Sequence, residues 1–422
     1  MSSAPPADFP ADFRFGAATA AHQVEGDNVH SDWWEAEQAG RLPHRSGAAC
    51  RHHALYAEDF DRAAALGHDA HRLSVEWARI EPRPGRIDRA ALDHYRRVMT
   101  ALRERGLEPF VTLQHFTLPA WFAREGGWLA ADAPARFTRY AAVVAEALGD
   151  RVTFWLTVNE PTVYAKRAYA VGDWPPFRHG RFGEARRVVA AMLEAHRRAA
   201  AELHRLCPGA RVGIAHSAPF VTPRTPATLL DRLVARLRDL VLNTLPVRSA
   251  RPGLDWLGLN YYARQLVHWR PRGTAWLFGT DWTGPDGRGP RRFSDLGWEI
   301  WPAGLGAVLR RFAALGLPLY VTENGLATRD EALRVRFLLD HLREVARARA
   351  DGVDVRGYFW WSLLDNYEWA EGFAPRFGLY ETDYRDCTRR PRPVAEVYRE
   401  ICLTRSLAAG ERRATALAGT EA

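Results

Sequence analysis

VTFWLTVNEP at 152–161 and LPLYVTENG at 317–325 share one form, an apolar run of strand length that ends in an adjacent asparagine and glutamate. Six further short apolar runs recur at intervals of about 40 to 60 residues: FRFGAAT at 13–19, DAHRLSV at 69–75, LEPFVTL at 107–113, ARVGIAH at 210–216, LDWLGLN at 254–260 and VRGYFWW at 355–361. Each is followed by a polar loop and a helix-periodic stretch. AEDFDRAAALG at 57–67, RAALDHYRRVMTALRERG at 89–106 and RFTRYAAVVAEALG at 136–149 are examples. The last sets Tyr140, Val143, Val144 and Ala147 on one face and closes on a glycine suited to a C-cap. Eight alternating strand and helix units predict an α/β fold, a single (β/α)8 TIM barrel with elaborated strand-to-helix loops. A doubly wound open sheet is the alternative, but the Gly-rich phosphate turn after a first strand is missing.

The 422 residues are 47% hydrophobic and 26% charged, ordinary globular composition for a chain long enough to bury a large core. The net charge of +8 is spread out, with Arg interleaved among Asp and Glu and no run of five basic residues, so neither nucleic acid nor a membrane surface is the expected partner. Of the 58 basic residues only Lys166 is lysine, a compositional bias of genomic type. The start MSSAPPADFP lacks a charged n-region and an apolar h-region, and no window of membrane-span length is uninterruptedly apolar. A soluble, cytoplasmic protein is expected. Cys50, Cys207, Cys387 and Cys402 lie far apart without metal-ligand spacing and are expected to be reduced. Residues 1–8 read as an N-terminal extension, 9–403 as the barrel domain, 269–297 as a long loop, and 404–422 as a frayed or disordered tail.

In a barrel of this type, polar residues at the strand C-terminal ends face the active site. Those ends carry Arg72, His115, Asn159 with Glu160, Asn260 with Tyr262, Glu323, and Trp361. Asn159, Asn260, Asn324 and Asn366 are four of only six asparagines, and each sits in one of these segments. Two carboxyls across one mouth suit glycosidic bond cleavage, which needs one protonated to assist the departing oxygen and one ionised to attack the anomeric carbon. Arg72 and Tyr262 offer a means of separating them, because a cation and a hydroxyl donor favour the charged form of the nearer acid. An oxygen-liganded metal site is the competing reading; the aromatic and cationic neighbours fit it poorly.

FRFGAATAAHQVEG at 13–26, LTVNEP at 156–161, GLNYY at 258–262, VTENG at 321–325 and YFWWSLLDNYEWAEGF at 358–373 resemble, in order, the signature segments of glycoside hydrolase family 1. That is the retaining β-glucosidase and β-galactosidase family, and the length resembles its compact bacterial and archaeal branch. The resemblance implies Glu160 as general acid and base, Glu323 as nucleophile, Asn159 on the sugar 2-hydroxyl, and Arg72 and Tyr262 as holders of Glu323. It implies Gln23, His115, Glu368 and Trp369 on the 3-, 4- and 6-hydroxyls, Trp361 as floor, and Phe116 and Phe377 as the wall near carbon 6. Asn260 is implied to orient the acid and base, and Trp298 to stack on the aglycone. No cofactor and no metal is implied, and the expected partner is a small-molecule β-glycoside; monomer and homo-oligomer both stay open.

Intact Glu368 and Trp369 argue against relatives that act on 6-phosphorylated sugars, since a carboxylate there repels phosphate. Thr117 stands where many members have aspartate and Glu76 where a small residue is frequent, and the region between strands five and six is short. Trp34, Trp174, Phe177, Phe182, Trp298 and Phe373 are expected to line the entrance. The expected activity is hydrolysis of nonreducing terminal β-D-glucosyl residues, extending to β-D-galactosyl or β-D-fucosyl ones, with preference for apolar aglycones. A transglycosidase and a sugar-binding pseudoenzyme are the rivals.

Overall fold

A computed structural model describes residues 8–273, 278–284 and 290–420. Eight parallel strands close into a barrel: β1 Arg14–Ala18, β2 Ala70–Ser74, β3 Glu108–Gln114, β4 Phe154–Asn159, β5 Arg211–Ser217, β6 Leu257–Asn260, β7 Leu319–Asn324 and β8 Val355–Trp361. Each falls on one of the eight apolar runs. β1 pairs with β8 as well as β2, which closes the ring. The helices His52–Ala65, Arg89–Glu104 and Ala133–Leu148 lie where the periodicity places them and bury their apolar stripes against the outer face of the barrel. Gly149 is the C-cap expected from the sequence, with φ −62° rather than the left-handed value. A Cβ there would lie 2.3 Å from the Cys207 sulfur, so close packing, not backbone conformation, calls for glycine.

The barrel interior holds a separate aromatic cluster of Phe110, Leu156, Trp256, Tyr320 and Phe359, with Phe154 against it and Ala18, Ala70 and Ala215 between the large rings. Phe110 stacks on Phe154 at 4.3 Å, and Trp256 meets Tyr320 edge-on at 5.0 Å. Above this plug, period-two alternation carries Arg72 inward after Ala70 and Trp361 inward after Phe359. Alternation alone would turn Asn159 and Glu323 outward. On β4, Leu156 pairs with Gly213 and Asn159 with Ala215; on β7, Val321 pairs with Leu259 and Glu323 with Asn260. One extra residue in each strand therefore resets the parity and aims both side chains into the mouth.

Two expectations are corrected. The tail expected at 404–422 is not frayed over its described residues: Leu407–Thr420 is a helix packed on the helix Pro393–Thr404. Leu407 and Ala409 are buried, Ala414 and Leu417 pack on the core, and Gly410 comes so close to Ile401 that a Cβ would lie 2.5 Å from it. A stripe of small residues permits that approach, and the Asp8 carboxylate caps the helix start through the Leu407 amide at 2.6 Å. The stretch 269–297 is not loop throughout, because Thr280–Asp281 pairs antiparallel with Val267 and His268. Its residues 274–277 and 285–289, the extension up to residue 7, and the last two residues lie outside the described residues. The four cysteines are free thiols. Among the described residues no helix is long and apolar enough to cross a membrane.

Candidate active site

Arg72, buried on β2, organises the mouth. Its Nε donates to Thr112 Oγ1 at 3.2 Å, one terminal nitrogen donates to the Glu323 carboxylate and to the Thr322 carbonyl, and the other to Asn159 Oδ1 at 2.7 Å. The Tyr262 hydroxyl donates to the second Glu323 oxygen at 2.6 Å. Glu323 thus accepts one charge-assisted and one phenolic hydrogen bond, which fixes the plane of its carboxylate. Glu160 lies on the other side of Asn260, whose amide donates to Glu160 Oε1 at 3.0 Å and to Asn159 Oδ1 at 3.2 Å. Thr322, the extra residue of β7, donates to Asn260 Oδ1 at 2.7 Å and so fixes which end of that amide faces Glu160.

The two acids sit in unlike surroundings. Burial, reinforced by the negative charge of Glu323, pushes the Glu160 carboxyl from 4.5 up to about 8, with the Asn260 hydrogen bond and the Arg72 charge opposing only in part. Glu368 is likewise raised to about 8, chiefly by burial and then by Glu323, against hydrogen bonds from Gln23 and Trp361. His115 is held well below its usual range by burial and by Arg72, so its ring is neutral. Glu160 stands in left-handed backbone, φ 43° and ψ 58°, immediately before Pro161, which opens the next helix. Phe116 at φ 71° and Trp369 at φ 52° share that region. Such conformations cost about 1–3 kcal/mol each for residues other than glycine, and they gather here at the mouth.

A cleft of about 630 Å³ opens above these groups. Gln23, His115, Phe116, Glu160, Asn260, Tyr262, Trp298, Glu323, Trp361, Glu368, Trp369 and Phe377 line it, and Arg72 and Asn159 lie directly beneath. All fourteen residues singled out in the sequence are therefore brought together. Gln23 donates to Glu368 at 3.2 Å while its own Oε1, like His115 Nδ1, is buried without a partner, leaving polar atoms for a ligand. His115 lies parallel to both Trp361 and Trp369, and Trp298 meets Tyr262 at 5.3 Å. Among the described residues no group of three or more His, Cys, Asp or Glu is placed to hold a metal.

The entrance differs from expectation. Of the six aromatics, Trp174 and Trp298 line the cleft, and the other four do not. Phe177 sits under the Arg41 guanidinium at 3.9 Å, Phe373 packs between Tyr367 and Tyr384, Phe182 is exposed at a helix start, and Trp34 lies along the helix Asp32–Gln38. The wall is built instead by Val163, Lys166, Trp282, Phe293 and Leu296. It is pinned by Glu299, whose carboxylate accepts paired hydrogen bonds from Arg264 at 2.8 and 2.6 Å and from Arg291 at 2.8 and 2.7 Å. Burial alone would raise the Glu299 carboxyl; the two guanidiniums outweigh it and hold the group low. The unusual Thr117 and Glu76 prove to be partners, the threonine hydroxyl donating to the buried glutamate at 2.9 Å.

A barrel mouth with one raised acid, one carboxylate gripped by a guanidinium and a phenol, and an indole-lined polar pocket is the setting of a glycosidic-bond hydrolase. The chain belongs to glycosyl hydrolase family 1, whose model matches residues 6–244 and 242–406. It is 31% identical to beta-glucosidase A of Thermotoga maritima, over 89% of this chain and 93% of that one. To the beta-galactosidase of Saccharolobus solfataricus it is 32% identical, over 93% and 94%. The solved beta-glycosidase from Pyrococcus horikoshii superposes with a TM-score of 0.91 at 38% identity, covering 97% and 98%.

The raised carboxyls link the site to stability with a definite sign. Between about 4.5 and about 8 the folded chain keeps protons on Glu160 and Glu368 that the unfolded chain has released. Stability from these groups is full at the acid end and is lost as pH rises through the folded values. Glu160→Gln should therefore gain Tm relative to wild type progressively from pH 5 to pH 9 in thermal unfolding. A difference that stays constant with pH contradicts the assignment.

Proposed function

We propose that the chain is a retaining exo-β-glycosidase that hydrolyses nonreducing terminal β-D-glucosyl residues, and β-D-galactosyl or β-D-fucosyl ones as well. The observation that carries this reading is the asymmetry of the two carboxyls, Glu160 raised by burial and Glu323 oriented by Arg72 and Tyr262. Glu323 attacks the anomeric carbon from the α face while Glu160 gives its proton to the departing oxygen, which forms a glycosyl-enzyme and frees the aglycone. Glu160, now a base, takes a proton from water, and the water oxygen displaces Glu323 with net retention. Closeness of the two acids favours double displacement: the Glu323 charge is the second cause that raises Glu160, and three side chains, Asn260, Asn159 and Arg72, link one carboxyl to the other.

Asn159 takes the 2-hydroxyl, where hydrogen bonding strengthens as charge develops at carbon 1. Gln23, His115, Glu368 and Trp369 take the outer hydroxyls. A protonated Glu368 both donates and accepts, which a hydroxyl rim requires. Trp361 supports the C–H face of the ring, and Phe116 and Phe377 close the side near carbon 6. Trp298 receives the aglycone, and with Trp282, Phe293 and Leu296 it gives the entrance an apolar character that favours aryl and alkyl leaving groups over a second sugar.

Glu323→Ala should lose nearly all turnover, and azide should restore it as the α-glycosyl azide. Glu160→Ala should lose about 10²–10⁴-fold on substrates with poor leaving groups and yield the β-azide instead. The same anomer from both variants contradicts the roles. Along a series from methyl to octyl β-glucoside, kcat/KM should rise, each buried methylene adding up to about 0.8 kcal/mol. A flat or falling series, with cellobiose the better substrate, contradicts the apolar aglycone.

A further inference from the structure

Lys166 is the chain's one lysine among 58 basic residues, and it lines the active-site cleft. The helix Pro161–Ala165 begins at Glu160 and runs on into the turn Lys166–Val171. Val163, Lys166 and Arg167, spaced by three and four, share the helix face that borders the cleft. Lys166 stands six residues past Glu160, about 9 Å along the axis at about 1.5 Å per residue. In the proposed mechanism Glu160 serves the departing oxygen, so the wall that carries Lys166 continues from the residue that faces the aglycone.

Among the described residues every arginine lining the cleft is paired with a carboxylate. Arg167 pairs with Asp173 at 2.8 Å, and Arg264 and Arg291 share Glu299 at 2.6 and 2.7 Å. Among the described residues the Lys166 ammonium makes no hydrogen bond and no ion pair, while its backbone amide donates to the Thr162 and Val163 carbonyls. The acid whose charge reaches it most strongly is Asp281, which is already engaged by Arg238. Its side chain is open to the cleft's solvent, yet the protein packed around it lowers its pKa, with the attraction of Asp281 opposing. A cation in that position gains from an incoming anion the stabilisation that its neighbours already have. The same cleft is lined by the indoles Trp174, Trp282 and Trp298; Trp174 lies under the neighbouring Arg167 at 5.3 Å, and Trp282 follows Asp281 in the chain.

We infer that Lys166 is a specificity-determining residue of the aglycone subsite, its ammonium receiving a carboxylate carried on the far side of an aromatic aglycone. The substrate class is then aryl β-glycosides whose aryl group bears a carboxylate. The inference rests on the glycosidase reading of the same cleft, and it deepens the apolar entrance into an amphipathic one: a flat ring against the indoles, an anion at the rim.

The test compares 4-carboxyphenyl with 4-carbamoylphenyl β-glucoside, alike in shape and different in charge, in the full-length enzyme. The ratio of their kcat/KM values should fall about five-fold in Lys166→Met, chiefly through KM, and should survive in Lys166→Arg. Taking the ratio cancels leaving-group differences and any general loss of activity. A second readout needs no turnover: with the lone lysine reductively dimethylated with 13C, its NMR signal should titrate at higher pH when 4-hydroxybenzoate is added, and not with 4-hydroxybenzamide. An unaltered ratio in Lys166→Met, or a lysine signal indifferent to 4-hydroxybenzoate, overturns the inference. A wild-type enzyme that cleaves neither glucoside overturns the glycosidase reading itself.

Discussion

A buried guanidinium must find an acceptor for nearly every N–H it carries, and at Arg72 that requirement ties four of the eight strands together. Its hydrogen bonds reach Thr112 on β3, Asn159 on β4 and Thr322 and Glu323 on β7. Stripping one partner from a buried ion pair generally costs about 3–5 kcal/mol, so the fold has little freedom to move Glu323 away. The same contacts fix Asn159, through it Asn260, and through that amide Glu160. The position of the acid is thus set by the demands of a cation with which it shares no hydrogen bond.

Strand parity explains how this arrangement coexists with a packed barrel. The aromatic plug occupies the inward positions of β3, β4, β7 and β8. Without the extra residue in β4 and in β7, the alternation that points Leu156 and Tyr320 into the plug would turn Asn159 and Glu323 to the outer face. Plug and site need opposite parities on the same two strands, and the register shifts meet both needs. The sequence carried the eight strands because apolar runs of that length have few other uses in a chain with this helix spacing. It carried the site residues because they end those runs and match a family's signature segments. The register shifts, and the left-handed backbone at Phe116, Glu160 and Trp369, were not legible there. Both are set by neighbours distant in sequence.

Legibility fell off with distance from the strands. Phe177 and Phe373 have the composition of entrance aromatics, but Arg41 and the tyrosines beside them absorb their faces. Trp282 and Phe293 take their place because Arg264, Arg291 and Glu299 knit their loops into one wall, a three-residue network that no local pattern announces. Thr117 and Glu76 read as two separate departures and are one buried hydrogen bond. The terminal helix is not legible because between Leu407 and Leu417 its packed face is alanine and glycine, residues whose packing value appears only once Ile401 lies against them. Lys166 was visible from the first as a compositional oddity, and its place in the cleft gives the oddity a chemical meaning.

The central claim is the division of labour between the two carboxyls, and trapping the covalent intermediate tests it most directly. A 2-deoxy-2-fluoro-β-glucoside with a good leaving group slows the second displacement more than it slows the first, so the glycosyl-enzyme accumulates. Mass spectrometry of the inactivated, proteolysed enzyme should find one fluoroglucosyl group, attached to the peptide containing VTENG and, within it, to Glu323. Attachment at Glu160, or the absence of any covalent adduct while the enzyme turns over unmodified substrate, would contradict the account.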